Sequence, residues 1–179
     1  MHRCLVANRG EIAVRIIRAC RELGIETVAV YAVGDEQSLH VSLADQAVCI
    51  GEANALDSYL NQDRIISAAQ ITESTAIHPG YGFLSESPSF ADKVEQNGLY
   101  FIGPTKETME LMGDKITARQ TVDAAKVPII PGSKGAVGSL SDVETIASDI
   151  GYPLVLKAAS GGGGKGIRIV KSRDMLEKS

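Results

Sequence analysis

The segment Leu154-Val155-Leu156-Lys157-Ala158-Ala159-Ser160-Gly161-Gly162-Gly163-Gly164-Lys165-Gly166-Ile167-Arg168-Ile169-Val170 carries the densest chemistry in the chain. Four consecutive glycines present backbone N–H groups with no side chain in the way, and such loops close over phosphate oxygens. Lys157 and Lys165 flank them as cations. In isolation, a lysine in an apolar strand run points to solvent. With the glycine run so close behind it, Lys157 reads instead as a phosphate ligand, since a strand lysine beside a glycine loop is how kinase-like and ligase-like sites hold phosphates.

Two familiar phosphate loops are excluded. The Walker A pattern needs Gly-Lys followed by Ser or Thr and a helix, whereas Gly164-Lys165 is followed by Gly166 and a strand-like run. The dinucleotide fingerprint must follow the first strand and open a helix. Here the first strand leads into Asn8-Arg9-Gly10-Glu11, with a single glycine. A glycine loop between two strands is a hairpin flap. A bare solvated tip is the alternative, but four glycines carry an ordering entropy that such a tip has no need of.

A second constellation is His78-Pro79-Gly80-Tyr81-Gly82-Phe83-Leu84-Ser85-Glu86. It follows a short strand, and in an open α/β sheet the loops at the C-terminal strand ends form the ligand crevice. Gly80 and Gly82 permit close backbone approach. The competing reading is a turn in which Ser85 caps the next helix and Glu86 complements its dipole. His78 reads as a hydrogen-bonded structural residue rather than a general base. Asn8 and Arg9 leave the first strand at the same edge, either to contact a ligand or to tie the loop to its neighbours. In Met112-Gly113-Asp114-Lys115, a lysine stands at a helix start, where the dipole disfavours it. That conflict leaves two readings open: an external anion, or a solvated lysine paired with Asp114.

The elements that must position these residues alternate. Strands are expected at 3–7, 27–31, 47–50, 75–77 and 99–102. Helices are expected at 11–23, from an Asp57-Ser58 cap through 69, and at 88–96. In the first helix Ile12, Ile16, Cys20 and Leu23 fall on one face, and Arg15, Arg18 and Glu22 on the other. The polar stripe is a solvated face or a subunit interface. Such alternation implies βαβ units and a parallel, doubly wound sheet with apolar strands covered on both faces, ending near residue 103. Helices at 106–112 and 114–125 follow, then a Pro/Gly-rich crossing up to Gly138. A helix at 141–150 carries Glu144 at a capping-box position, and strands at 154–158 and 166–170 bracket the glycine run. We expect a first domain over 1–103, a helical linker over 104–138 and the start of a second domain over 139–179.

Composition fits. The chain has 179 residues, 18 basic against 22 acidic and hence a net charge of −4, with 44% hydrophobic residues. That excludes a disordered chain and a supercharged nucleic-acid binder. Trp is absent and aromatics are 4%, which disfavours base-stacking platforms, so no nucleic-acid partner is expected. No apolar run is long enough for a membrane span. The N-terminus lacks a signal-peptide pattern. Cys4, Cys20 and Cys49 lie apart in apolar segments with no CxxC, so they read as reduced core residues of a cytoplasmic protein.

The stretches ANRGEIAVRIIRACRELGI (7–25), AIHPGYGFLSE (76–86), FIGP (101–104), MGDK (112–115) and YPLVLKAASGGGGKGIRIV (152–170) together resemble the N-terminal part of biotin carboxylase, of the ATP-grasp superfamily. The resemblance implies a Rossmann-like pre-ATP-grasp domain with a parallel sheet, a helical linker and an incomplete ATP-grasp lid domain. It implies a reaction in which MgATP phosphorylates bicarbonate to carboxyphosphate, and the resulting CO₂ carboxylates biotin on a carrier protein. By this resemblance Lys115, Lys157 and Lys165, with Gly161, Gly162, Gly163, Gly164 and Gly166, bind ATP. His78, Gly80, Tyr81, Gly82 and Phe83 form the loop on the biotin and bicarbonate side, with Tyr81 toward the biotin pocket. Arg18 and Glu22 belong to a homodimer face.

The Mg²⁺ ligands, bicarbonate-binding residues and base of the family lie in later sequence with no counterpart here, so no catalytic or metal-ligating residue is expected within the chain, which alone is expected to be inactive. The implied partners are a biotin carboxyl carrier protein and a carboxyltransferase. The parent reads most closely as the biotin carboxylase subunit of a bacterial acetyl-CoA carboxylase, in fatty-acid synthesis. A pyruvate or propionyl-CoA carboxylase, or a stand-alone binding or dimerisation module, is the alternative.

Overall fold

A computed structural model describes residues 2–113, 115–133, 135–157 and 166–176, the side chain of Lys115 excepted. The chain divides into two units, Met1–Gly113 and Asp114–Ser179.

The first unit alternates strand and helix. Strands β1 (Arg3–Val6), β2 (Glu26–Tyr31), β3 (Gln46–Cys49), β4 (Ala76–His78) and β5 (Tyr100–Phe101) form one sheet in the order β3-β2-β1-β4-β5. Every pairing is parallel, with Leu5 between Val28 and Ile77 in register. Helices α1 (Gly10–Glu22), α2 (Leu39–Leu43), α3 (Gln62–Ile71) and α4 (Pro88–Gln96) connect the strands, and α5 (Lys106–Gly113) closes the unit. The strand side chains alternate faces, as the period of two requires. Val6 and Ala29 pack with Ala13 and Ile17 of α1. Leu5, Val28, Val30 and Ile77 pack with Ile65 and Ala69 of α3 and Phe90 and Val94 of α4. Each such fully buried aliphatic or aromatic side chain stabilises the fold by about 1.5–3 kcal/mol.

Several expectations are corrected. The buried face of α1 is Ala13, Val14, Ile17 and Cys20. Ile12 and Ile16 are only half-buried and Leu23 is 74% exposed, because the helix is rotated so that the stripe of Ala13, Ile17 and Cys20, spaced i, i+4, i+7, meets the sheet. Helix α3 is capped not at Asp57-Ser58 but by Asn61, whose side chain accepts from the Arg64 amide. On the same helix the Arg64 guanidinium donates to the carbonyls of Ile50 and Asp57. The short helix α2 was not foreseen from the sequence. Strand β3 is an edge strand whose residues are largely exposed, so not every strand is covered on both faces, and Cys49 is exposed rather than a core residue.

The second unit contains α6 (Lys115–Ala124), α7 (Leu140–Ile150) and an antiparallel pair, β6 (Leu154–Lys157) with β7 (Ile167–Val170). Helix α7 starts one residue earlier than expected, capped by Ser139, whose hydroxyl accepts from the Asp142 amide. Glu144 does not close a capping box; it pairs with Arg173 at 3.2 Å. Among the described residues, Ala147, Val170 and Leu176 are the apolar side chains this unit buries, while Val155, Ile167 and Ile169 remain exposed. No helix among the described residues is long and apolar enough to cross a membrane.

Candidate functional site

The connection from β1 leads through α1 toward β2, and that from β4 leads through α4 toward β5 on the other side. β1 and β4 are therefore the neighbouring strands at which the winding reverses. The loops at their C-terminal ends splay apart and leave a crevice. That crevice is an open cleft of about 380 Å³ lined by Asn8, Arg9, Gly10, Glu11, Ile12, Tyr81, Gly82 and Phe83.

Asn8 joins its two walls. Its side chain is buried, and Nδ2 donates to the carbonyl oxygens of Pro79 at 2.8 Å and Tyr81 at 3.0 Å. Its Oδ1 accepts from the Arg9 amide at 2.9 Å. Of the two readings of Asn8, the structure therefore gives the tie between loops. Gly80 sits directly against it, with φ +68°. A Cβ there would come within 2.7 Å of Ile12 Cγ2 and 2.8 Å of Asn8 Nδ2, so both the backbone angle and the space require glycine. His78 is half-buried, and its Nδ1 accepts from the Gly80 amide at 3.0 Å. Burial holds the imidazole below its ordinary pKa. The ring is thus a neutral acceptor engaged in shaping the turn.

Tyr81 projects into solvent, 59% exposed, with its hydroxyl 3.4 Å from Glu11 Oε1. Gly82 follows with φ +74° and Phe83 with φ +43°, an uncommon conformation for an aromatic residue. Phe83 is held there by stacking on Tyr59, with centroids 5.1 Å apart and planes 12° from parallel.

Tyr59 begins a cluster that the sequence reading missed. Its hydroxyl donates to Asp35 Oδ2 at 2.7 Å and accepts from the Ala32 amide at 3.1 Å. Arg9 Nη1 reaches the same carboxylate oxygen at 3.2 Å, with its guanidinium over the Tyr59 ring. Burial pushes the Asp35 carboxyl up, but the hydrogen bonds from Tyr59 and Arg9 and the charge of Arg9 outweigh it and hold the group below its usual range. Burial, then the bond to Asp35, pushes the Tyr59 phenol well above its own. Arg9 follows β1, Asp35 follows β2, Tyr59 lies between β3 and α3, and Phe83 follows β4, so the parallel sheet brings residues far apart in sequence together at one edge. No motif or periodicity marks Asp35 or Tyr59.

In the second unit, Lys157 ends β6, exposed, opposite Ile167. The strand–loop–strand order is the expected antiparallel hairpin, and Gly166 leaves the loop at φ +76°. Gly161, Gly162, Gly163, Gly164 and Lys165 lie outside the described residues. Lys115 is the first residue of α6. Arg18 and Glu22 are both exposed on α1. Beside them runs an apolar groove of about 430 Å³, lined in part by Ile12, Ile16, Ala19, Cys20 and Leu23. Among the described residues no three His, Cys, Asp or Glu side chains converge to hold a metal ion.

A reversing parallel sheet with its crevice in the first unit and a glycine-bearing hairpin in the second are the parts of an ATP-grasp protein. Comparison gives the particular family. Residues 1–109 match the family described as "Biotin carboxylase, N-terminal domain", and the chain belongs to it. Residues 114–179 match "Carbamoyl-phosphate synthase L chain, ATP binding domain". The biotin carboxylase of Haemophilus influenzae is 52% identical over 100% of this chain and 40% of its own length. The 2-oxoglutarate carboxylase small subunit of Hydrogenobacter thermophilus is 50% identical over 98% of this chain and 37% of its own. Among solved structures, a biotin carboxylase–beta-gamma-ATP complex from Campylobacter jejuni superposes with a TM-score of 0.88 at 47% identity, over 98% of this chain and 40% of that one. The biotin carboxylase domain dimer of the Hydrogenobacter thermophilus enzyme, bound to MgADP, ADP and bicarbonate, gives 0.85 at 49%, over 98% of this chain and 39% of that one. The chain spans about 40% of the length of these relatives.

Proposed function

We propose that this chain is the N-terminal working part of an ATP-dependent biotin carboxylase. In the complete enzyme, MgATP phosphorylates bicarbonate and the carboxyl group passes to biotin on a carrier protein. The observation that carries the reading is the Asn8 tie. It fixes a glycine-shaped loop, with Tyr81 exposed on it, at the sheet's ligand crevice. The loop belongs to a chain about half identical to biotin carboxylases over its whole length.

The exposed hairpin strand ending in Lys157, and the left-handed Gly166 where the loop is left, fit a nucleotide flap. Lys157, Lys115 and Lys165 would hold ATP phosphates by charge, and the amides of Gly161, Gly162, Gly163, Gly164 and Gly166 by hydrogen bonding. Bound ATP supplies the phosphoryl group that activates bicarbonate. The loop of His78, Gly80, Tyr81, Gly82 and Phe83 serves the biotin and bicarbonate side, where Tyr81 offers an exposed aromatic face to the acceptor. His78 and Asn8 shape that loop and move no proton. We assign no Mg²⁺ ligand to this chain.

The functional parts are the first domain over 1–103, the linker over 104–138 and the opening of the lid over 139–179. The parent is best read as the biotin carboxylase subunit of a bacterial acetyl-CoA carboxylase. It is cytoplasmic and works with a biotin carboxyl carrier protein and a carboxyltransferase in fatty-acid synthesis. A 2-oxoglutarate or pyruvate carboxylase is the alternative. The exposed Arg18 and Glu22 beside the apolar α1 groove favour a homodimer face.

The test is a graft. The 179-residue chain replaces the matching segment of the Haemophilus influenzae biotin carboxylase, and bicarbonate- and biotin-dependent release of phosphate from ATP is measured. A folded chimaera is expected to turn over. A folded chimaera without turnover would overturn the reading.

A further inference from the structure

Arg9, after β1, and Phe83, after β4, line the crevice from opposite walls, and one buried residue holds both. Tyr59, 1% exposed, lies behind them. Its ring stacks on Phe83 with centroids 5.1 Å apart, and the Arg9 guanidinium carbon lies 5.7 Å from the centroid of the same ring. Its hydroxyl is pinned at two points, donating to Asp35 Oδ2 at 2.7 Å and accepting from the Ala32 amide at 3.1 Å. Both points belong to one turn after β2, closed by the Asp35 amide donating to the Ala32 carbonyl oxygen at 2.9 Å. Asp35 Oδ2 also takes the Arg9 Nη1 hydrogen bond at 3.2 Å. Phenylalanine would fill the same apolar volume. The hydroxyl adds direction, because a buried phenol keeps the orientation that its partners dictate.

We infer that Tyr59 and Asp35 are positioning residues for the carboxyl acceptor: by holding Arg9 and Phe83 they set the shape of the crevice and the presentation of Tyr81, and so the affinity for biotin, without touching it. The inference rests on the reading of the Tyr81 loop as the biotin side. Phe83 needs the support. Its φ of +43° is a conformation that persists in an aromatic residue only where the surroundings over-determine it. The stack on an anchored ring supplies that determination, and it acts two residues from Tyr81. Arg9 needs it as well. Its side chain is 53% exposed, and an exposed ion pair alone holds a long side chain weakly. The carboxylate at one end of the guanidinium and the ring face beneath it leave it one orientation. Loosening Tyr59 therefore loosens both walls at once.

Two readouts test this on Tyr59→Phe and Tyr59→Leu. In the chimaera described above, KM is measured for free biotin and for ATP. The KM for biotin is expected to rise about threefold or more in Tyr59→Phe, which loses the hydroxyl, and about tenfold or more in Tyr59→Leu, which also loses the stack. The KM for ATP should stay as it is. A merely structural loss would lower the amount of active enzyme and move neither KM. In the 179-residue chain itself, amide exchange is followed at Ser85, whose N–H donates to the Gly82 carbonyl oxygen at 3.0 Å across Phe83. It should exchange faster in both variants. Should neither variant fold, Asp35→Ala, on a part-exposed turn, removes the same hydrogen bond and is judged by the same readouts. A folded chimaera with Tyr59 in place and no turnover would sink the acceptor reading, and Ser85 exchange would then decide the positioning role alone. An unchanged KM for biotin, equal rises for biotin and ATP, or unaltered Ser85 exchange would each overturn the proposal.

Discussion

Asn8 Nδ2 donates to the Tyr81 carbonyl oxygen at 3.0 Å, across 73 positions of sequence. With the companion bond to Pro79, this fastens the β4 loop to the β1 loop, so that the aromatic side chain projects from a fixed backbone. The affinity or reactivity of whatever meets Tyr81 is then set partly by a residue that need not touch it.

Asn8→Ala is expected to cost about 1–3 kcal/mol, because buried acceptors lose their donor. Gly80→Ala should cost a similar amount, about 1–3 kcal/mol, from the left-handed backbone and the clash with Ile12 and Asn8. Since the second clash is with Asn8 itself, the double variant should be less destabilised than the sum of the two. Urea titration of the three variants checks this, and strict additivity would mean that the two residues do not share one tie.

Acid should weaken the first unit in two stages. Burial depresses the pKa of His40 and of His78 below the ordinary 6.5, so both are harder to protonate folded than unfolded. Stability is full above pH 6.5 and falls as pH drops below it, because the unfolded chain takes up those protons first. Asp35, lowered from 3.8, adds a further loss beneath that value. His40 is the sharper case: its Nε2 is bonded to the Val30 carbonyl oxygen, while buried Nδ1 has no partner. Urea midpoints from about pH 7.5 to about pH 5.5 should fall, and His40→Gln should flatten the slope. An unchanged slope would contradict the assignment.

The two units should differ in local stability. The first buries a continuous core on two sheet faces, whereas the hairpin of the second leaves Val155, Ile167 and Ile169 exposed. A two-stranded pair is marginal alone. Amides of β6 and β7 are therefore expected to exchange with deuterium much faster than those of β1 and β2. Equal protection would show a support for the hairpin that its exposure does not suggest.

Self-association is expected through the α1 face. Sedimentation of the chain should show a concentration-dependent species that Arg18→Glu removes. A chain that is monomeric and indifferent to the change would leave that face without a pairing role.

Much of this was legible in the sequence, for identifiable reasons. Strands β1, β2 and β4 are short apolar runs between turn residues, and their alternation with helices dictates a parallel sheet. Glycines at 80 and 82 mark a loop that needs left-handed backbone, and both have it. What periodicity could not decide was the rotation of α1, because the Ala13, Ile17, Cys20 stripe and the Ile12, Ile16, Leu23 stripe are both apolar at helical spacing. Nor could it find Tyr59 with Asp35. That pairing depends on which elements become neighbours, and no local signal carries that information.

The most direct test is the steady-state KM for ATP of the chimaera carrying this chain, beside its Lys157→Met variant. Lys157 ends the hairpin strand at the glycine loop. Removing its charge is therefore expected to raise KM about tenfold or more, the loss of one charge-assisted phosphate contact. The fold of the first unit should be unchanged. A Lys157→Met chimaera with the KM of its parent would contradict the assignment of this hairpin as the nucleotide flap.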